Sequence, residues 1–391
     1  MTIPARFVGV LLLATACAAS LPSAQVVANM NGGDFAPVAA NGGVVATSNP
    51  LTAWRIKPLQ PRSSARNHPG AVAISHDGRT CATVAAPPGL GLRSYRLPGL
   101  EPIQIVADAC NGIVSVSLNG ALVACAERRL EEAQVQTQIK VFTFPELEPV
   151  QSWGPLVESV ESMSFVGARG DKLAVAVTFV APPGHPDDYR SRVDLYDTRS
   201  GRVVGDCAQK GRFPQLAFAP QGDTFIWAGQ SGAQQWSVRS LAQVKAFRDT
   251  AHTIAIALSP DARLLATSQG EHEVGDKLTE GGGTIQLFDT RSGQWLASFG
   301  SANLRAAASP HDDDLMLSER THMVVQFELL EGTPAGDHRP VFGDLFGSPY
   351  HVANHQSLAF LDNDTLLSAG HGFFALWTLN QETIRKAREE R

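Results

Sequence analysis

Two short stretches of the chain gather side chains able to hold a cation. "EHEVGD" places Glu271, His272, Glu273 and Asp276 together, and "HPDD" places His185, Asp187 and Asp188 together. Clustered carboxylates suit Ca²⁺, and one or two imidazoles beside them suit Zn²⁺. Neither spacing matches an established metal motif, so each cluster reads first as a solvated acidic loop. No resident cofactor is expected, with Ca²⁺ or Zn²⁺ as the alternatives. "HDDD" (His311 to Asp314) falls in a short turn and reads the same way. There is no GxSxG, P-loop, GxGxxG or HExxH, so no catalytic residue is singled out. No CxxCH occurs either, which leaves an accessory subunit of a redox complex without cofactor ligands.

The elements that would position such residues emerge from self-similarity. "GIVSVSLNGALVAC" (Gly112 to Cys125) is an alternating apolar run, a turn at Asn119-Gly120, and a second run, which is a hairpin signature. The shape recurs from Ala71, Val160, Phe213, Thr253, Leu304 and Ser357. "DFAPVAANGGVVAT" (Asp34 to Thr47) aligns to it without gaps: Phe35, Val38, Val44 and Val45 fall opposite Ile113, Val116, Leu122 and Val123. Each hairpin precedes a third strand with an aromatic near its end: Trp54, Tyr95, Phe142, Tyr196, Trp236, Phe288, Phe327 and Trp377. The spacing of about 40 to 54 residues is close to the period of propeller blades. Two near-identical turns lead into fourth strands, "YDTRSGRVVGD" from Tyr196 and "FDTRSGQWLAS" from Phe288.

On these residues the chain resembles the WD40 β-propeller family. "SPDARLLATS" with "GGGTIQLFDTRSGQWLASF" (Ser259 to Phe299) carries the likeness best. It extends over essentially the whole chain after the leader and implies an all-β propeller. The family's Gly-His survives only as His68, His252 and His355, and its Asp before the third strand is missing at "GGGTIQLF" and "SGAQQW". The buried polar tetrad is therefore expected to be incomplete, and the repeats to be of the degenerate, bacterial exported type. Eight units predict eight blades, the ring being closed by the N-terminal strand Ala24 to Met30. The alternative is seven blades, closed near Leu59, with Asp34 to Ile56 packed outside.

The N-terminal residues have a targeting pattern: Arg6, then the apolar "FVGVLLLATA" (Phe7 to Ala16), too short to span a bilayer. "LATAC" makes Cys17 a lipidation candidate, and ordinary cleavage between Ala16 and Ala24 is the other reading. The expected organisation is a signal peptide over 1–23, one propeller over 24–379 and a charged tail over 380–391. The expected compartment is the periplasm, the outer membrane through a lipid anchor, or the exterior. No later run approaches a transmembrane length. Cys81, Cys110, Cys125 and Cys207 are left to pair or to serve as buried apolar residues. A net charge of −6 and a pI near 6.0 argue against a nucleic-acid surface.

Three second-to-third connections read as long loops: Ala126 to Gln138, Ala181 to Arg192 and Ser268 to Gly283. The connection Glu331 to Gln356 is also long, and all four should rise on one face. Elaborated loops on a rigid frame are where binding concentrates. The function expected is a monomeric, non-catalytic scaffold that binds a protein or envelope polymer there. The alternative is a metal-dependent hydrolase or lactonase with its site over the central channel.

Overall fold

The computed structural model describes residues 23–29, 38–41, 44–47, 51–55, 60–65, 69–85, 91–107, 110, 113–131, 134–179, 189–212, 214–269, 272–274, 277–279, 284–300, 304–306, 322–329, 357–370 and 373–379. After β1 (Ser23–Asn29), blade 1 comprises β2 (Val38–Asn41), β3 (Val44–Thr47), β4 (Leu51–Arg55) and β5 (Gln60–Ala65). Blade 2 is β6 (Pro69–Ile74), β7 (Thr80–Ala85), β8 (Gly91–Arg96) and β9 (Glu101–Ala107). Blade 3 is β10 (Val114–Val116), β11 (Leu122–Glu131), β12 (Gln134–Thr143) and β13 (Pro149–Leu156). Blade 4 is β14 (Ser159–Val166), β15 (Lys172–Phe179), β16 (Arg190–Asp197) and β17 (Val203–Lys210). Blade 5 is β18 (Gln215–Phe218), β19 (Thr224–Ala228), β20 (Gln234–Ser237) and β21 (Gln243–Ala246). In blade 6, β22 (Thr253–Leu258) and β23 (Leu264–Gln269) precede a small hairpin, β24 (His272–Val274) and β25 (Lys277–Thr279). The blade then resumes with β26 (Thr284–Asp289) and β27 (Trp295–Gly300). Blade 7 gathers β28 (Leu304–Ala306), β29 (His322–Leu329), β30 (Ser357–Phe360), β31 (Thr365–Gly370) and β32 (Phe373–Thr378), in the order β28-β29-β1-β32-β31-β30.

The innermost strands touch in a closed cycle, β2 to β6, β10, β14, β18, β22, β30 and back to β2. Among the described residues the ring therefore has seven blades, and the expectation of eight is overturned. The physical reason lies at β22, which packs directly on β30 and leaves no gap for an eighth sheet. The unit beginning at Leu304 supplies β28 and β29 to the outside of blade 7. The strand β1 lies inside that sheet, paired to β32 on one side and β29 on the other, and is not the outer edge of an eighth blade. The reason offered for the seven-bladed alternative also fails, because β2 to β4 stand in the ring as blade 1.

Strand alternation builds the core. Ala46, Leu51 and Ala53 pack towards Cys81 and Tyr95 of blade 2, whereas Val45 and Trp54 pack towards Leu367 and Leu376 of blade 7. Successive side chains of one strand thus bury against opposite neighbours, and the second of these contacts joins the first blade to the last. Trp54, Tyr95, Phe142, Tyr196, Trp236, Phe288 and Trp377 are all buried at equivalent register. Blades 1 to 6 share a bulge immediately before that aromatic, as at Ala53/Trp54 and Leu287/Phe288. A bulge increases local twist and re-aims the side chain. Phe327 stands elsewhere, in β29 opposite Ala24 and Ala306.

Candidate functional site

An antiparallel meander puts its second-to-third connections and its inter-blade connections on one face, and its two remaining turns on the other. On the first face, the stretch Ala126 to Gln138 is not a loop. β11 and β12 stay paired as far as Glu131 and Gln134, so blade 3 projects as a hairpin of ten-residue strands. Between blade 6's second and third strands, β24 pairs with β25, with His272 opposite Thr279 and Glu273 opposite Leu278. Glu271, Asp276, His185, Asp187, Asp188, His311 to Asp314, Cys17, His68 and His355 lie outside the described residues. Among the described residues no three His, Cys, Asp or Glu side chains are grouped to hold a metal.

Two ionic clusters brace this half of the ring. Glu127, with its side chain 8% exposed, meets Lys140 at 2.8 Å and Arg129 at 2.7 Å. Burial pushes the Glu127 carboxyl up, but the hydrogen bonds and charges of Lys140 and Arg129 outweigh it and hold the group below its ordinary value. Arg192 bonds Asp194 through Nε at 2.7 Å and Nη2 at 3.0 Å, and reaches Glu158 at 3.2 Å. Burial lifts the Asp194 carboxyl above its ordinary value despite that guanidinium. The Tyr196 hydroxyl is pushed up to about 12, chiefly by burial and then by the charge of Asp194. Cys110 and Cys125 form a disulfide, with Cα atoms 6.0 Å apart, that ties the connection before blade 3 to β11. The free thiols of Cys81 and Cys207 are buried, and burial pushes each up to about 12, which removes them as nucleophiles.

The opposite face is built from repeated turns. Ser75, Ser117 and Ser259 each donate to the carboxylate or amide two residues on (Asp77, Asn119, Asp261) at 2.6, 2.7 and 2.6 Å. In the third-to-fourth turns, the Asp197 carboxylate accepts from Ser200 N and Oγ at 2.7 and 2.8 Å, and Asp289 does the same with Ser292. Thr198 Oγ1 donates to Gly170 O at 3.0 Å and Thr290 Oγ1 to Ala262 O at 2.6 Å, so each such turn is pinned to its blade's first turn. Between blades 3 and 4 these turns enclose a cleft of about 500 Å³, into which Arg169, Asp171, Arg199 and Val150 are gathered. Sequence reasoning missed it. The duplicated "DTRSG" turn was the available signal for Arg199; nothing in the sequence joins it to Arg169.

Together the ring, its inter-blade core and its turns define an all-β, seven-bladed β-propeller. No family model matches the chain, and no curated protein matches it. The β-propeller domain of Cps50 (Swd1) from Myceliophteria thermophila is similar in structure, with a TM-score of 0.60 over 90% of this chain and 100% of that chain. At 11% sequence identity the similarity speaks for the fold alone. No helix among the described residues is long and apolar enough to cross a membrane.

Proposed function

We propose that the chain is a non-catalytic binding scaffold of an exported compartment, which holds a protein or an envelope polymer on the face of its second-to-third connections. One observation carries this reading. The first-to-second turns of blades 2, 3 and 6 share one Ser-based design, whereas on the other face blade 3 extends its second and third strands beyond the common length and blade 6 inserts the β24–β25 hairpin. Elaborated connections on one face of a rigid ring are the pattern of a recognition surface. The Cys110–Cys125 disulfide supports an oxidising compartment, as do Arg6 and the apolar stretch from Phe7 to Ala16.

The test replaces residues 271–282 with a short glycine linker and leaves Gln269, which belongs to β23, in place. Wild-type and variant chains are cross-linked in the cell envelope, and their partners are identified by mass spectrometry. A partner captured by the wild type and lost by a variant of unchanged melting temperature supports the reading. Equal recovery by both chains overturns it.

A further inference from the structure

The cleft between blades 3 and 4 lies on the other face and is independent of that reading. Its construction is specific. Asn119 Nδ2, from blade 3, donates to the backbone oxygen of Arg169 at 3.1 Å. Gln151 Nε2, also from blade 3, donates to the backbone oxygen of Arg199 at 3.0 Å. Each arginine is therefore anchored through its main chain by a side-chain amide of the neighbouring blade. Gly170, at φ +67°, lets the two first turns touch, because a Cβ there would meet Ser117 Cβ at 2.9 Å. Among the described residues neither guanidinium has a hydrogen bond or ion pair, although the charge of Arg199 acts on the neighbouring Asp197 carboxylate. The Asp197 carboxylate is occupied by the donors of its own turn. That leaves Asp171 as the cleft's uncommitted carboxylate. Val150, 45% exposed, supplies an apolar contact, and it stands on β13, the outer strand of blade 3.

Two guanidinium groups carried on anchored turns, beside an exposed valine and a sheet edge, can receive acceptor groups presented along an extended backbone. We propose that this cleft binds an extended peptide carrying acidic side chains, with Arg169 and Arg199 as its paired anion receptors and Asp171 as a negative charge that limits affinity. Anchoring of both main chains lowers the ordering cost of binding.

Titration calorimetry of the full chain with a short blocked peptide of alternating glutamate and valine tests this. The wild type binds, and the double variant Arg169→Gln, Arg199→Gln binds at least about tenfold more weakly. Asp171→Asn binds the same peptide more tightly, a sign that loss of structure would not produce. Asn119→Ala, which removes the bond to the Arg169 main chain together with the bonds Asn119 accepts from Ser117 and Ala121, weakens binding while both arginines remain. Absence of binding, equal binding by the double variant, equal binding of a lysine–valine peptide, or equally tight binding of inorganic phosphate overturns the proposal. Melting temperatures of the variants are recorded alongside, and Asp171→Asn with Asn119→Ala keeps the test decisive should the double variant unfold.

Discussion

The indole Nε1 of Trp54 donates to Thr47 Oγ1 at 3.0 Å inside blade 1, and Trp377 makes the same bond to Ser368 at 2.7 Å in blade 7. The hydroxyl sits two residues beyond the partner of the aromatic in the β-ladder. In blade 6 that position is Thr267, but the third-strand aromatic there is Phe288, which has no N–H, and the fully buried Thr267 Oγ1 has no partner among the described residues. In blade 5 the position holds Trp227, and the Trp227 and Trp236 rings lie 5.4 Å apart, with neither Nε1 bonded among the described residues. One isosteric change should therefore have opposite effects in two blades. Thr47→Val removes an acceptor in use and costs about 1 kcal/mol, whereas Thr267→Val removes an unsatisfied buried hydroxyl and is neutral or stabilising. Urea unfolding of both variants checks the signs.

Ring closure gives a second contrast. Trp54 is fully buried against Leu367 and Leu376, at the contact between the first and last blades. Trp295 is 50% exposed on the outer strand of blade 6. Trp54→Ala should cost about 3–5 kcal/mol through lost burial and the cavity left behind. Trp295→Ala should stay within about 0.5 kcal/mol of the wild type. Comparable losses at the two positions would show that the blade 1–blade 7 contact does not govern closure.

Much of the ring was legible because its signals are local. The hairpin pattern at Asp34 and the aromatic at Trp54 read as a blade, and Val45 indeed pairs with Trp54 as Val123 pairs with Phe142. The blade count was not legible, because Leu304 and Phe327 carry the same local pattern as the true blades. What separates them is the packing of β22 on β30, a contact about a hundred residues apart in the chain. The stretch Ala126 to Gln138 read as a loop because a hairpin that projects past its neighbours needs no apolar alternation. Arg169 and Arg199 lie in separate turns, each of which reads as solvated; the Thr198–Gly170 bond joins the two turns, and the approach of Gly170 to Ser117 sets them against blade 3.

The cysteines give a chemical prediction. Cys81 and Cys207 are buried, with thiols pushed up to about 12, so iodoacetamide should leave both unmodified in the native protein at pH 8 and label both after denaturation. Cys110→Ala breaks the disulfide to Cys125, a bridge with a sequence separation of 15 residues. In the chain-entropy account this costs about 3 kcal/mol. Mass spectrometry of alkylated peptides and melting with and without reductant measure both effects. Native labelling of Cys81 would show that blades 1 and 2 do not pack as described.

Acid should loosen blade 3 first at Glu127. Its folded-state carboxyl lies below the ordinary value of 4.5, because Lys140 and Arg129 outweigh the cost of burial. A group depressed in the folded state contributes stability that is present above its unfolded pKa and is lost as pH falls through the folded pKa. Stability at neutral pH should thus include the Glu127 contribution and decline below about pH 4.5 as the unfolded chain binds the proton first. Glu127→Gln should be destabilised at pH 7, by roughly 1–3 kcal/mol for a buried acceptor that loses charge-assisted bonds. Its stability should also fall less steeply between pH 5 and pH 3 than that of the wild type, about the window in which the carboxylate protonates. Asp194 works in the other direction: burial raises its folded-state carboxyl, so its contribution is complete below the unfolded value of 3.8 and diminishes as pH rises. Asp194→Asn should therefore steepen the acid decline where Glu127→Gln flattens it, and chemical unfolding of the two variants across this range separates the two sites.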